Sequence, residues 1–146
     1  MLAGVIGMAF AQSPSVGLRL SGGTAVSADV FWHLPAGHRQ VEIALGWEQN
    51  VRHVDQVLTV ANMWQGEITD AFGWTLGVGG CLMWQIWQTR VNDRYLALGI
   101  CAIAGVSYRL EHWPLTLHLD LRPRIAMLGP DANRWGHIAV GVSHAF

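Results

Sequence analysis

Ser143, His118 and Asp120 are the residue types of a hydrolytic relay: a hydroxyl nucleophile, an imidazole to take its proton and a carboxylate to orient the imidazole. Their spacing argues against that use. His118 and Asp120 stand two apart in PLTLHLDLRP, residues 114–123, and on a strand such neighbours share a face at about 7 Å, beyond direct hydrogen-bond reach. No nucleophile motif surrounds Ser143, so no catalytic site, metal or cofactor is expected. A second set, Arg19, Asp29, Glu42, Asp120 and Arg122, offers two guanidiniums and three carboxylates, the chemistry of an ion network. A third set is Cys81 and Cys101, the two cysteines of the chain.

The elements that must position these groups are strands. In PLTLHLDLRP, Leu115, Leu117, Leu119 and Leu121 fall on one face and Thr116, His118, Asp120 and Arg122 on the other, the period-2 pattern of extended chain. This strand alone does not choose between a soluble sandwich, which turns leucines to its core, and an outer-membrane barrel, which turns them to lipid. Composition does choose. Charged residues make up 13% of the 146-residue chain and hydrophobic ones 51%, whereas soluble domains carry roughly 25% charge. The formal net charge of −1 leaves no basic footprint for nucleic acid.

Eight alternating stretches are expected at Val16 to Gly22, Thr24 to Leu34, Arg39 to Gln49, Val54 to Gln65, Phe72 to Trp84, Tyr95 to Leu110, Leu115 to Leu128 and Trp135 to Phe146. The apolar rows Val16/Leu18/Leu20, Val26/Ala28/Val30/Trp32, Val41/Ile43/Leu45/Trp47, Trp74/Leu76/Val78, Leu96/Leu98/Ile100 and Ile138/Val140/Val142 keep one phase. The opposite rows are polar or small and hold Arg19, Asp29, Glu42, Asp120 and Arg122 among glycines. A lipocalin-like binding barrel needs the reverse assignment and would expose its glycine-rich rows to water. Trp32, Trp47, Trp64, Trp74, Trp84, Trp87, Trp113 and Trp135 all fall near strand ends, where interfacial girdles collect aromatic rings. The runs FGWTLGVGGCLMWQIW and YLALGICAIAGVSY are too short for spanning helices, which need about 20 apolar residues. The expected fold is an all-β, eight-stranded, up-and-down antiparallel transmembrane β-barrel.

Residues 1–11, MLAGVIGMAFA, have an apolar run and a small-x-small ending, and are read as an export signal preceding a barrel over residues 12–146. Export leads to an oxidising compartment, where cysteines can pair. A hairpin centred near Val91 sets Cys81 opposite Cys101, either as a disulfide or as two small packing groups. The C-terminal row Ile138/Val140/Val142/Phe146 resembles the terminal signal read during outer-membrane barrel assembly, with His144 departing from it.

WTLGVGGCLMWQIW, LALGICAIAGVSYRL and WPLTLHLDLRPRIAML together resemble a family of small uncharacterised outer-membrane β-barrels of Bacteroidota type. The likeness rests most specifically on Tyr108, Pro114, Leu115, Leu117, Leu119, Asp120, Arg122 and Pro123. It implies an eight-stranded barrel and supplies no activity.

Eight strands enclose an interior that side chains fill, so no open pore is expected, and the five interior charges must find partners across the lumen. Arg52, Arg90, Arg94 and Arg134, offset by Asp55, Asp93 and Asp131, are read as a mixed-charge rim. With both termini expected on the periplasmic side and only modest outer loops at Gln85 to Arg94 and Gly129 to Arg134, the lateral surface is the largest interaction surface. The reading is a pore-less bacterial outer-membrane barrel in contact with outer-membrane lipids. It would serve a structural role or act as an accessory subunit of a larger membrane-protein complex through its lateral surface. The alternatives are a lipid-modifying outer-membrane enzyme and a lipocalin-like binder.

Overall fold

A computed structural model of the protein describes residues 14–22, 26–36, 39–49, 53–88, 96–128 and 137–145. The chain forms β1 (Ser15–Gly22), β2 (Val26–Ala36), β3 (Arg39–Gln49), β4 (His53–Glu67), β5 (Phe72–Gln88), β6 (Leu96–Arg109), β7 (Leu115–Leu121), β8 (Arg124–Leu128) and β9 (Ile138–Ala145). Each strand runs antiparallel to the next around the ring, and β1 closes it against β9, with Ser15 opposite Ala145 and Gly22 opposite Ile138. The start of β1 and the end of β9 therefore lie on one rim. Closure of β1 on β9 and of β5 on β6 pairs the backbone around the ring, as backbone in hydrocarbon requires.

Nine segments make eight staves, because β7 and β8 are two runs of one strand, both paired with β6. Pro123 divides them: it has no N–H to give to the ladder. Its carbonyl still accepts from Ala102 N (3.0 Å), and Arg122 N donates to the carbonyl of His137 (3.0 Å), so the barrel stays hydrogen-bonded across the break. The expected single strand Leu115 to Leu128 is thus interrupted but not displaced. The two apolar runs weighed as helices are β5 and β6.

The alternation resolves inside from outside. Leu18 and Leu20 on β1, Leu117, Leu119 and Leu121 on β7, and Ile138 and Val140 on β9 are exposed on the outer surface, whereas Arg19, Ser21, Asp120, Ala139 and Ser143 between them are buried. One lumen wall is ionic. The other, on β4 to β6, is small and apolar, with Ala61, Met63 and Ile103 in one cluster and Val57, Cys81, Met83 and Ala97 in another. Trp32, Trp47, Trp64 and Trp74 lie on the outer face. Trp74 and Trp84 stand ten residues apart on β5. At about 3.4 Å per residue and a strand tilt of 35–45° they lie roughly 24–28 Å apart along the barrel axis, the height of an apolar band. Trp84 Nε1 donates to Gln56 Oε1 (3.1 Å). Trp113 is exposed in the turn between β6 and β7. Trp135, the Trp87 side chain, the export signal and the two expected outer-loop tips fall outside the described residues.

Register differs from expectation at the cysteines. Cys81 pairs with Gly99 and Cys101 with Gly79, so the hairpin is centred one residue earlier than Val91 and the two thiols are diagonal, both free. Diagonal neighbours stand about 7–8 Å apart, past the Cα separation that a disulfide bridges.

Leu119→Arg, on the outer face, should lower the stability of the barrel refolded in lipid vesicles by roughly 2–4 kcal/mol if it sits near the bilayer midplane. Thr116→Ser on the inner face should change it little. Denaturant titration reads both; equal tolerance would reverse the faces.

Candidate functional site

The lumen is crossed by one ion layer with Glu42 at its centre. Glu42 is 0% exposed. Its Oε1 accepts from Arg19 Nη2 at 3.0 Å and Arg122 Nη1 at 2.7 Å, and its Oε2 from Arg19 Nη1 at 3.2 Å and Arg122 Nη2 at 2.9 Å. Two guanidinium forks thus each bond both oxygens of one carboxylate, the bidentate geometry in which charge-assisted bonds are strongest. His33 Nε2 lies 2.8 Å from Oε2 and, because a carboxylate only accepts, it is the donor. Asp29 binds Arg19 Nε and Nη2 (3.2 and 3.1 Å), and Asp120 binds Arg122 Nη2 (3.2 Å) and approaches Arg19 Nη1 (3.9 Å). The structure therefore brings Arg19, Asp29, Glu42, Asp120 and Arg122 into one cluster, drawn from β1, β2, β3, β7 and the break between β7 and β8.

Small residues make the cluster fit. Gly105 faces Asp120 across the β6–β7 pair, and a Cβ there would stand 2.0 Å from Asp120 Oδ1. Phe31, fully buried, fills the lumen beside the layer. Its ring lies 4.6 Å from the Arg19 guanidinium carbon, a cation–π contact, and occupies the space that a Cβ on Gly17 would take, 2.4 Å from Phe31 Cζ.

Further inward-facing ions were not singled out by sequence. Glu48 is buried and accepts from Arg124 Nη2 at 2.7 Å. Asp55, expected at the rim, is buried inside. The signal for Glu48 was present, since it shares the phase of Glu42 on β3. Arg124 continues the phase of Asp120 and Arg122 past the proline. Asp55 was misread because it stands near a strand end, where rim and lumen look alike in sequence.

The hydrolytic set is only half assembled. His118 Nε2 and Ser143 Oγ lie 2.8 Å apart, but the Asp120 carboxylate is engaged by the arginines. The His118 ring instead meets Phe31 and His33 edge to face, at 5.6 and 5.7 Å.

A cavity of about 150 Å³ opens at the rim that holds the start of β1 and the end of β9 and is lined by His33, His118 and Ser143. A second, of about 60 Å³, lies toward the other rim and is lined by Arg19, Asp29, Arg122 and Arg124. The Glu42 layer separates them.

This closed ring with apolar rows outside and charge inside matches solved membrane barrels. The N-terminal β-barrel domain of Pseudomonas aeruginosa OprF superposes with a TM-score of 0.76 at 12% identity, covering 92% of this chain and 98% of that one. The fold is that of an outer-membrane-type β-barrel. Neisserial surface protein A gives a TM-score of 0.67 at 11% identity over 92% of this chain and 95% of its own. A de novo designed transmembrane β-barrel gives 0.64 at 14% over 92% and 96%. No protein-family model matches this sequence, nor does any curated protein.

Glu42→Gln should destabilise the refolded barrel by about 3–5 kcal/mol, because it leaves two buried guanidiniums short of a counter-charge. Asp29→Asn should cost clearly less, since the Asp29 side chain is 18% exposed at the edge of the layer. Guanidinium titrations of the two variants in lipid vesicles give the comparison, and equal losses would remove Glu42 from its central place.

Proposed function

We propose that the protein is a pore-less barrel of the Gram-negative outer membrane, delivered there by an N-terminal signal, with a structural or accessory-subunit role in a larger envelope complex. The observation that carries the pore-less part is the Glu42 layer: two guanidiniums and three carboxylates, bonded to one another, stand between the two lumenal cavities. An interior closed by paired ions presents no continuous aqueous path, and an eight-stranded ring is already near the limit that side chains fill.

The accessory part follows from where surface is available. The exposed leucine, isoleucine and valine rows of β1, β6, β7 and β9 form a continuous lateral face, which suits outer-membrane lipids and, in our reading, a larger membrane-protein partner. Kinship with small Bacteroidota-type barrels belongs to the same proposal and is supported by the Tyr108, Pro114, Asp120 and Pro123 arrangement. We assign no catalytic role to the Ser143 and His118 pair, because the carboxylate that would complete a relay is held by Arg19 and Arg122.

Two measurements test this reading. In planar lipid bilayers the wild-type barrel should insert without stepwise ion conductance, and discrete conducting events from wild-type protein would overturn the pore-less assignment. A photo-crosslinking residue placed at Val140 should capture one defined membrane protein in cells. Adducts to lipid alone would overturn the accessory role.

A further inference from the structure

The cavity at the rim of the β1 start and the β9 end differs from the ion layer beneath it in one respect: its buried lining is polar yet carries no formal charge beyond what histidine can take up. Gln40, Gln65, Thr116, His118 and Ser143 supply amides, hydroxyls and an imidazole, while the charged lining residues Glu67, Asp70 and Arg109 are exposed to solvent. Gln40 and Ser143 are each only 4% exposed. Such groups are not left over from a surface; they line a pocket inside the barrel.

Their internal bonds are few. Gln65 Nε2 donates to Gln40 Oε1, a bond that uses one donor and one acceptor of two amides that both line the cavity. Ser143 and His118 bond to each other, and a hydroxyl has capacity for more than one bond. The wall thus offers both donors and acceptors around a space of about 150 Å³, close to the size at which an engineered protein cavity accepts a six-membered ring.

We propose that this vestibule is a binding site for a small uncharged polyhydroxylated molecule, a single sugar ring in size. Each hydroxyl of such a ligand both donates and accepts, which matches amides and hydroxyls side by side. An apolar ligand of the same size would bury the Gln40 and Gln65 amides without partners, at a cost per group that exceeds the gain from its own burial. An ionic ligand would find its counter-charges, Arg109 for an anion and Glu67 or Asp70 for a cation, only among exposed, solvent-screened side chains, while the buried Gln40 and Ser143 offer neither sign. Binding here does not depend on whether the lumen below is closed, so it stands or falls separately from the pore-less reading.

The test uses the full barrel refolded in lauryldimethylamine oxide, a detergent without a sugar headgroup, and glucose, N-acetylglucosamine, acetate and benzene as probes. Ligand-observed saturation-transfer NMR should show saturable binding of at least one of the two sugars with a millimolar Kd, and none of acetate or benzene. Gln40→Leu should weaken that binding about tenfold or more through lost hydrogen bonds. Ser143→Ala, a smaller change, should weaken it by a lesser factor and guards against a Gln40 variant that fails to fold, with the mobility shift of unheated folded barrel on gels reporting folding. No sugar saturation up to about 100 mM, sugar binding unchanged in both folded variants, or preferred binding of acetate or benzene would each overturn the proposal.

Discussion

A carboxylate with no exposure, held between two arginines, is the constraint on which the rest of this barrel depends. Glu42 could not be placed in an apolar interior alone, since a buried ion without partners costs several kcal/mol even after relaxation. Arg19 and Arg122 must therefore reach it, and each must in turn be balanced, by Asp29 and Asp120. Three of those residues come from the first third of the chain and two from its last fifth. Their meeting is possible only if the sheet closes on itself, so the ion layer and the β1–β9 seam support one another.

Space and backbone follow from the same demand. Long arginines need small neighbours, which explains why Gly17 and Gly105 face Phe31 and Asp120 so closely that a methyl group would collide. The strand break at Pro123 falls beside Arg122, where the ladder is carried by Arg122 N to His137 O and Ala102 N to Pro123 O. On the outside the constraint is inverted: with polar groups satisfied inside, the leucine, valine and isoleucine rows need nothing but hydrocarbon, and in water they would be a large exposed apolar surface.

Much of this could be read from residues alone. Period-2 alternation assigns a face to every residue of a strand, so Leu18 against Arg19 and Leu119 against Asp120 already distinguish outside from inside once composition has favoured lipid. What alternation does not encode is the offset between neighbours. Moving a register by two residues keeps every face unchanged, which is why Cys81 and Cys101 were placed on the correct wall but opposite the wrong partners. The five interior charges were visible by phase, whereas their convergence on Glu42 was not, because that depends on the stagger of strands around the ring. Asp55 differs in cause: it stands near a strand end, where rim and lumen positions look alike in sequence. The vestibule was invisible, since its wall collects Gln40, Gln65, His118 and Ser143 from four strands that only closure brings together.

The central claim is that apolar rows meet lipid while the alternate rows enclose paired ions. Spin labels placed one at a time along β9, at positions 138 to 143 of the barrel in lipid bilayers, test it most directly through their collision rates with oxygen, which concentrates in hydrocarbon. Labels replacing Ile138, Val140 and Val142 should be readily relaxed by oxygen, and labels replacing Ala139, Gly141 and Ser143 should be shielded from it. The opposite alternation, or no alternation at all, would contradict the placement of every face in the barrel.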